Sequence, residues 1–200
     1  MSLRAQSLKE SSTDMCEPQF HPTIEDPYHF LSIMTFDERL KQVATSIVHR
    51  AAASGLHVST AESCTAGLVS ATIADISGAS EVLLGGACTY TNEIKHHVLL
   101  VDQQTLDEKT AVCYEVGLQL AQGSRTLFGS DVAVGVTGYA GPGGGTNADP
   151  VGTVYIGVAS SVRCDSYRVH FNGSRMQVRM KAVLFALTKM LEHIDALSDN

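Results

Sequence analysis

Apolar residues recur at helical spacing over residues 36–54, where Leu40, Val43, Ala44, Ile47 and Val48 share one face and Gly55 supplies a stop. Next, Leu56-His57-Val58-Ser59-Thr60 reads as a short β-rich strand, and Leu68, Val69, Ala71, Thr72, Ile73 and Ile76 predict a helix ending near residue 76. Residues 82–90 read as a second strand interrupted by Gly85-Gly86. A short helix is expected over 92–99, and a longer one over 112–128 closed by Gly129. Asp131-Val132-Ala133-Val134-Gly135-Val136-Thr137 has the unbroken apolar run of a buried strand. Residues 152–159 and 164–171 predict two further strands around Ser160-Ser161, and Asn172-Gly173-Ser174 caps a last helix through residue 193. Alternating strands and helices predict an α/β fold, a three-layer α/β/α sandwich. So short a loop between the last two strands makes them antiparallel, so the mostly parallel sheet is expected to be mixed.

The first 35 residues break this pattern. They are rich in Ser, Pro, His and acidic residues, without apolar periodicity or a secretory core segment. Residues 1–35 are therefore expected to be an N-terminal extension, flexible with packing as the alternative, and residues 36–195 the domain. Arg4 and Lys9 among serines hint at an organellar address, against which Glu10, Asp14 and Glu17 argue. A length of 200 residues, 44% hydrophobic and 18% charged, suits one ordinary globular domain with a tail. A net charge of −7 argues against a nucleic-acid binder, and no apolar run approaches a membrane span. Cys16, Cys64, Cys88, Cys113 and Cys164 are odd in number and scattered, which suits reduced thiols and a cytoplasmic setting better than a disulfide framework.

Chemistry is suggested first at Thr60-Ala61-Glu62-Ser63-Cys64-Thr65-Ala66-Gly67, where a strand hands over to a helix. There Ser63 would lie near free helix N–H groups, as a hydroxyl nucleophile with its own oxyanion hole, or Ser63 or Thr65 would merely cap the helix. Val136-Thr137-Gly138-Tyr139-Ala140-Gly141-Pro142-Gly143-Gly144-Gly145-Thr146 runs from a strand into a glycine loop that fits neither the Walker nor the dinucleotide template. That loop is either an anion nest or a set of tight turns. Thr137, at its start, is a substrate contact or simply a strand former. Arg175 and Arg179 stand one turn apart at the start of the last helix, placed to hold a phosphate or to lie on a solvated face. The adjacent His96-His97 point in different directions on a helix and lack ligand partners, so no metal is expected. Cys64 and Cys113 are rival nucleophiles or small buried residues.

Thr89-Tyr90-Thr91-Asn92-Glu93-Ile94-Lys95 completes the pattern. Together AESCT, Y-x-N-E-x-K, AGPGGG and PVGTV resemble the C-terminal domain of the CinA (competence-damage-inducible) family over about residues 36–193, in the family's order and spacing. Stand-alone members of that family are nicotinamide-nucleotide amidases, and its fold is of the mixed-sheet kind expected above. The resemblance implies a Ser63–Lys95 dyad that deamidates nicotinamide mononucleotide (NMN) to nicotinic acid mononucleotide without a metal or organic cofactor. It implies an oxyanion site at the amides of Cys64, Thr65 and Ala66. Tyr90 would relay a proton or orient Lys95, unless it is a buried strand residue. Asn92, Thr137, Gly138, Gly141, Gly143, Arg175 and Arg179 would contact substrate, with Asn92 and Glu93 also able to cap their helix. Arg175 matches the family's arginine after an aromatic-x-Gly turn. Family members often associate, which implies a homo-oligomer, although no interface is readable. Ala66 stands where the family has glycine, Tyr139 where it has a small aliphatic residue, and Thr110-Ala111-Val112-Cys113 in place of Gly-Ala-Val-Ser. A catalytically silent nucleotide-binding domain, or an amidase for another small carboxamide, are the alternatives.

Overall fold

A computed structural model describes residues 16–29 and 33–198. In chain order they form β1 (Pro18–Glu25), α1 (Ile33–Ser54), β2 (Val58–Glu62), α2 (Leu68–Ala74), β3 (Leu83–Cys88), α3 (Asn92–Leu99), α4 (Gln103–Lys109), α5 (Tyr114–Phe128), β4 (Val132–Gly138), β5 (Thr153–Ala159), β6 (Cys164–His170) and α6 (Arg175–Ser198). One six-stranded sheet has the order β1-β6-β5-β4-β2-β3. The β1/β6, β2/β3 and β2/β4 pairs are parallel, and β5 is antiparallel to both neighbours. Every strand but β5 therefore ends at the same edge of the sheet, which is where such folds assemble ligand sites.

The central strands are covered on both faces, so β2 and β5 are buried throughout, as their apolar runs predict. Along β4, Val132, Val134 and Val136 face a core shared with α1 and α6. On the opposite face α5 lies so close that a Cβ at Gly135 or Gly157 would strike the backbone around Gly117. Glycine is required there for close approach, not for flexibility. The result is the expected α/β/α sandwich with a mixed, mostly parallel sheet.

Three expectations change. Residues 18–25, inside the stretch expected to be a flexible extension, are the edge strand β1; residues 1–15 and 30–32 lie outside the described residues. Its Pro18 and Pro22 are tolerated because an edge strand has one unpaired side, and its register shifts between His21 and Ile24. Cys16 and Cys164, expected to be reduced, form a disulfide with Cα atoms 5.7 Å apart, tying the start of β1 to the start of β6. The short helix α4 was not expected. It is mostly polar and buries only Leu106, but Asp102 caps it by accepting from the Thr105 N–H. No helix among the described residues is long and apolar enough to cross a membrane.

Candidate active site

The parallel strands β2, β3 and β4 deliver their C-terminal ends to one small cavity of ≈ 200 Å³. Ser63 and Cys64 follow β2; Tyr90, Asn92 and Lys95 follow β3; Thr137 and Gly138 end β4; Arg175 opens α6 across the mouth. The cavity is completed by Ala111, Val112 and Ala140, which lie in quoted motifs but were not among the expected site residues. Lys95 Nζ donates to Ser63 Oγ at 3.1 Å and to the Tyr90 carbonyl at 3.3 Å. Lys95 is only 1% exposed, and among the described residues no carboxylate pairs with it. Burial lowers its pKa below the ordinary lysine value. Burial also pushes the Cys64 thiol up to about 12, so at neutral pH it carries no thiolate to compete with Ser63.

The serine turn is held by Glu62, a fully buried carboxylate that sequence reading passed over. Its oxygens accept from the amides of Gly67 (2.9 Å), Val69 (3.0 Å) and Ser70 (2.9 Å), and from the Ser70 and Thr60 hydroxyls. The free N–H groups expected to face Ser63 are thus consumed, because α2 starts only at Leu68 and Glu62 reaches round to cap it. The Ala66 amide is also taken, by the Ser63 carbonyl at 3.2 Å. The Ala66 amide is therefore not free for the expected oxyanion site, for which the amides of Cys64 and Thr65 remain candidates. No local pattern marks the burial of Glu62, since Ser59, Thr60 and Glu62 make three of the five β2 residues polar.

Other expected contacts take different jobs. Arg179 donates Nε to the Cys64 carbonyl (2.9 Å) and Nη2 to the Thr65 carbonyl (2.8 Å), so it clamps the serine turn from behind. Arg175 donates Nη1 to the Gly141 carbonyl (2.6 Å) and Nη2 to the Tyr90 hydroxyl (2.9 Å). Tyr90 lies past the end of β3 and is 57% exposed; its phenol meets Arg175, and only its carbonyl meets Lys95. The Thr137 hydroxyl donates to the Ala111 carbonyl at 2.7 Å and so fastens the 110–113 segment. Thr91, not Asn92 or Glu93, caps α3. Thr65 is buried, while Ala66 and Gly143 are exposed away from the cavity wall. His96 and His97 each set Nδ1 on a backbone carbonyl, of Val101 and Glu93.

Behind the glycine loop, Arg168 donates to the Asp149 carboxylate and the Ala148 carbonyl, and Tyr155 donates its hydroxyl to the same carboxylate. Two departures from the family pattern fall on unusual backbone: Ala66 has φ 52° and Thr110 has φ 72°. Both are positions where a glycine is relaxed and a side chain is strained.

Fold and site define a mixed-sheet α/β domain with a buried serine–lysine pair beyond the ends of its parallel strands. The CinA C-terminal domain profile matches residues 40–194. The chain belongs to the CinA C-terminal domain family. It is 48% identical over 133 residues to a CinA-like protein of Geotalea uraniireducens, covering 66% of this chain and 32% of that protein. It is 40% identical over 159 residues to a CinA-like protein of Geotalea daltonii, covering 80% of this chain and 38% of that protein. The chain thus spans about a third of the length of these relatives. Among solved structures, the competence/damage inducible protein CihA from Agrobacterium tumefaciens matches with TM-score 0.76 and 34% identity, over 78% of this chain and 95% of that one. The CinA superfamily protein KP700603 from Klebsiella pneumoniae matches with TM-score 0.75 and 30% identity, over 78% and 98%.

Proposed function

We propose that this domain is a serine–lysine amidohydrolase that deamidates NMN to nicotinic acid mononucleotide and ammonia. The observation that carries the reading is Lys95: a buried amine, paired with no carboxylate among the described residues, 3.1 Å from a buried serine hydroxyl. Desolvation favours its neutral form, which can accept the Ser63 proton. Ser63 Oγ then attacks the carboxamide carbon, and the C=O electron pair moves onto oxygen. The amides of Cys64 and Thr65 lie at the turn where that oxyanion forms. As the tetrahedral intermediate collapses, Lys95 returns the proton to the leaving nitrogen, which departs as ammonia. Water, deprotonated by Lys95, next attacks the acyl-enzyme, and Ser63 leaves with its proton restored. Arg175, at the mouth, is the cation for the ribose-phosphate end. Family membership supports the choice of substrate, since resembling stand-alone members carry this activity.

Ammonia release from NMN by the purified protein tests the reading, with Ser63→Ala, Lys95→Ala and Cys64→Ala alongside. Turnover lost in the first two and kept in the third is the expected result. A folded wild type that binds NMN without releasing ammonia would overturn it in favour of a silent binding domain.

A further inference from the structure

The edge strand β1 lies outside the residues that match the family, yet it ends beside the site. Its Glu25 is registered with His170 at the end of β6, which puts the next residue, Asp26, against the turn that launches α6. Asp26 is 5% exposed. Its Oδ2 accepts from the Asn172 amide (3.1 Å) and from Lys181 Nζ (2.5 Å), while Oδ1 accepts from the Tyr28 amide (3.0 Å). Lys181 Nζ also donates to the Asn172 carbonyl at 2.9 Å. Both backbone groups of Asn172 are therefore gripped by one ion pair, made by the N-terminal strand and the second turn of α6. Tyr28 reinforces the join by stacking on Phe171 with ring centroids 6.4 Å apart.

Arg175 comes directly after this turn. Ser174 and Gln177 exchange hydrogen bonds in a capping box, Ser174 N–H to Gln177 Oε1 (2.8 Å) and Gln177 N–H to Ser174 Oγ (3.4 Å). Arg175 is the first residue of α6, three residues from Asn172, and its aim across the cavity is set by the direction in which the helix starts. We infer that Asp26 is a positioning residue for Arg175, so that the N-terminal strand sets the grip on the substrate's anionic end. The ligand class concerned is a nucleoside monophosphate, and the inference rests on the role given to Arg175 above. Asp26 touches no part of the cavity, so its effect runs only through the turn and the helix start. Loss of the clamp frees the turn, and the guanidinium loses part of its preorganisation toward a phosphate.

Calorimetric binding of NMN and of nicotinamide riboside, which lacks the phosphate, tests this in a Ser63→Ala background. Arg175→Ala weakens NMN roughly tenfold, the loss of one charge-assisted contact, and leaves the riboside little changed. Asp26→Asn is expected to weaken NMN by about fivefold with the same selectivity, and to add nothing in the Arg175→Ala background. The Asp26→Asn/Lys181→Met pair leaves no unpaired charge buried and gives the same selective loss if Asp26→Asn alone folds poorly. Equal weakening of both ligands, or effects that multiply with Arg175→Ala, would overturn the inference. Ammonia release by wild type separates it from the amidase reading. An inactive protein that keeps the selective binding pattern ends that reading alone, and an active one without the pattern ends this inference alone. A protein that neither binds NMN nor releases ammonia ends both.

Discussion

Two buried charges sit on opposite footings in this domain. Asp165, at the start of β6, is fully buried and surrounded: His21 Nε2 lies at 2.6 Å, His193 Nε2 at 2.8 Å, and Arg163 pairs with it as well. Burial works to raise its pKa, but hydrogen bonds from His193 and His21 and the Arg163 charge prevail and bring it down to about 2. Lys95 is just as buried, and among the described residues it hydrogen-bonds to one hydroxyl and one carbonyl. Its charge is disfavoured. A buried charge with a full set of partners holds the fold, whereas one denied a counterion is available for proton transfer.

The most drastic way to break the contrast is to remove the dyad. Ser63→Ala or Lys95→Ala should each lower NMN turnover at least ~10³-fold while the thermal transition stays cooperative. Asp165→Asn should do the reverse. It is expected to cost about 3 kcal/mol, roughly a 10 °C fall in Tm, because His21, His193 and Arg163 lose their shared negative charge and one of its two acceptor oxygens; KM of the folded fraction stays near wild type. Calorimetry with steady-state kinetics reads both.

Acid separates the two sites by window. Asp165 has a depressed folded pKa, so its stabilisation is present above the unfolded value of about 4 and is lost as pH falls toward about 2. Lys95 acts as its neutral form, so turnover falls as pH drops through a pKa that lies below the ordinary lysine value. Denaturant melts and kcat/KM measured across pH should show two separate limbs. Coincident limbs would count against the assignment.

Smaller effects sharpen the picture. Lys95→Met should abolish turnover yet raise stability by about 1 kcal/mol in urea melts, since it removes a buried amine that has no carboxylate partner among the described residues. Thr110→Gly should stabilise by a similar ~1 kcal/mol, relaxing φ 72° beside the cavity wall. An unchanged or lowered urea midpoint would show that the Thr110 hydroxyl, which accepts from the Val112 amide at 3.3 Å, outweighs the strain.

What was legible in the sequence was local. The helix around Leu40 declares itself by period, the helix 112–128 by its Gly129 stop and the strand 131–137 by its unbroken apolar run, and Ser63 with Lys95 stand out through their motifs. β1 did not, because its two prolines and exposed face lack alternation, and its partner strand lies more than a hundred residues away. Register between such distant segments leaves no local trace. For the same reason Arg179 looked like a second phosphate contact, when its guanidinium turns inward to the carbonyls of Cys64 and Thr65. Glu62 was hidden within a motif read for its serine. Only the fold shows that its carboxylate occupies the helix start that Ser63 was expected to use.

Catalysis by this dyad requires that Lys95 be held neutral enough to act as the base. Direct titration of its side-chain nitrogen by NMR, in lysine-labelled protein with Lys95→Arg to assign the signal, tests this most plainly. Lys95 is expected to titrate clearly below the exposed lysines in the same spectrum. A Lys95 that titrates with them, or above them, would contradict it.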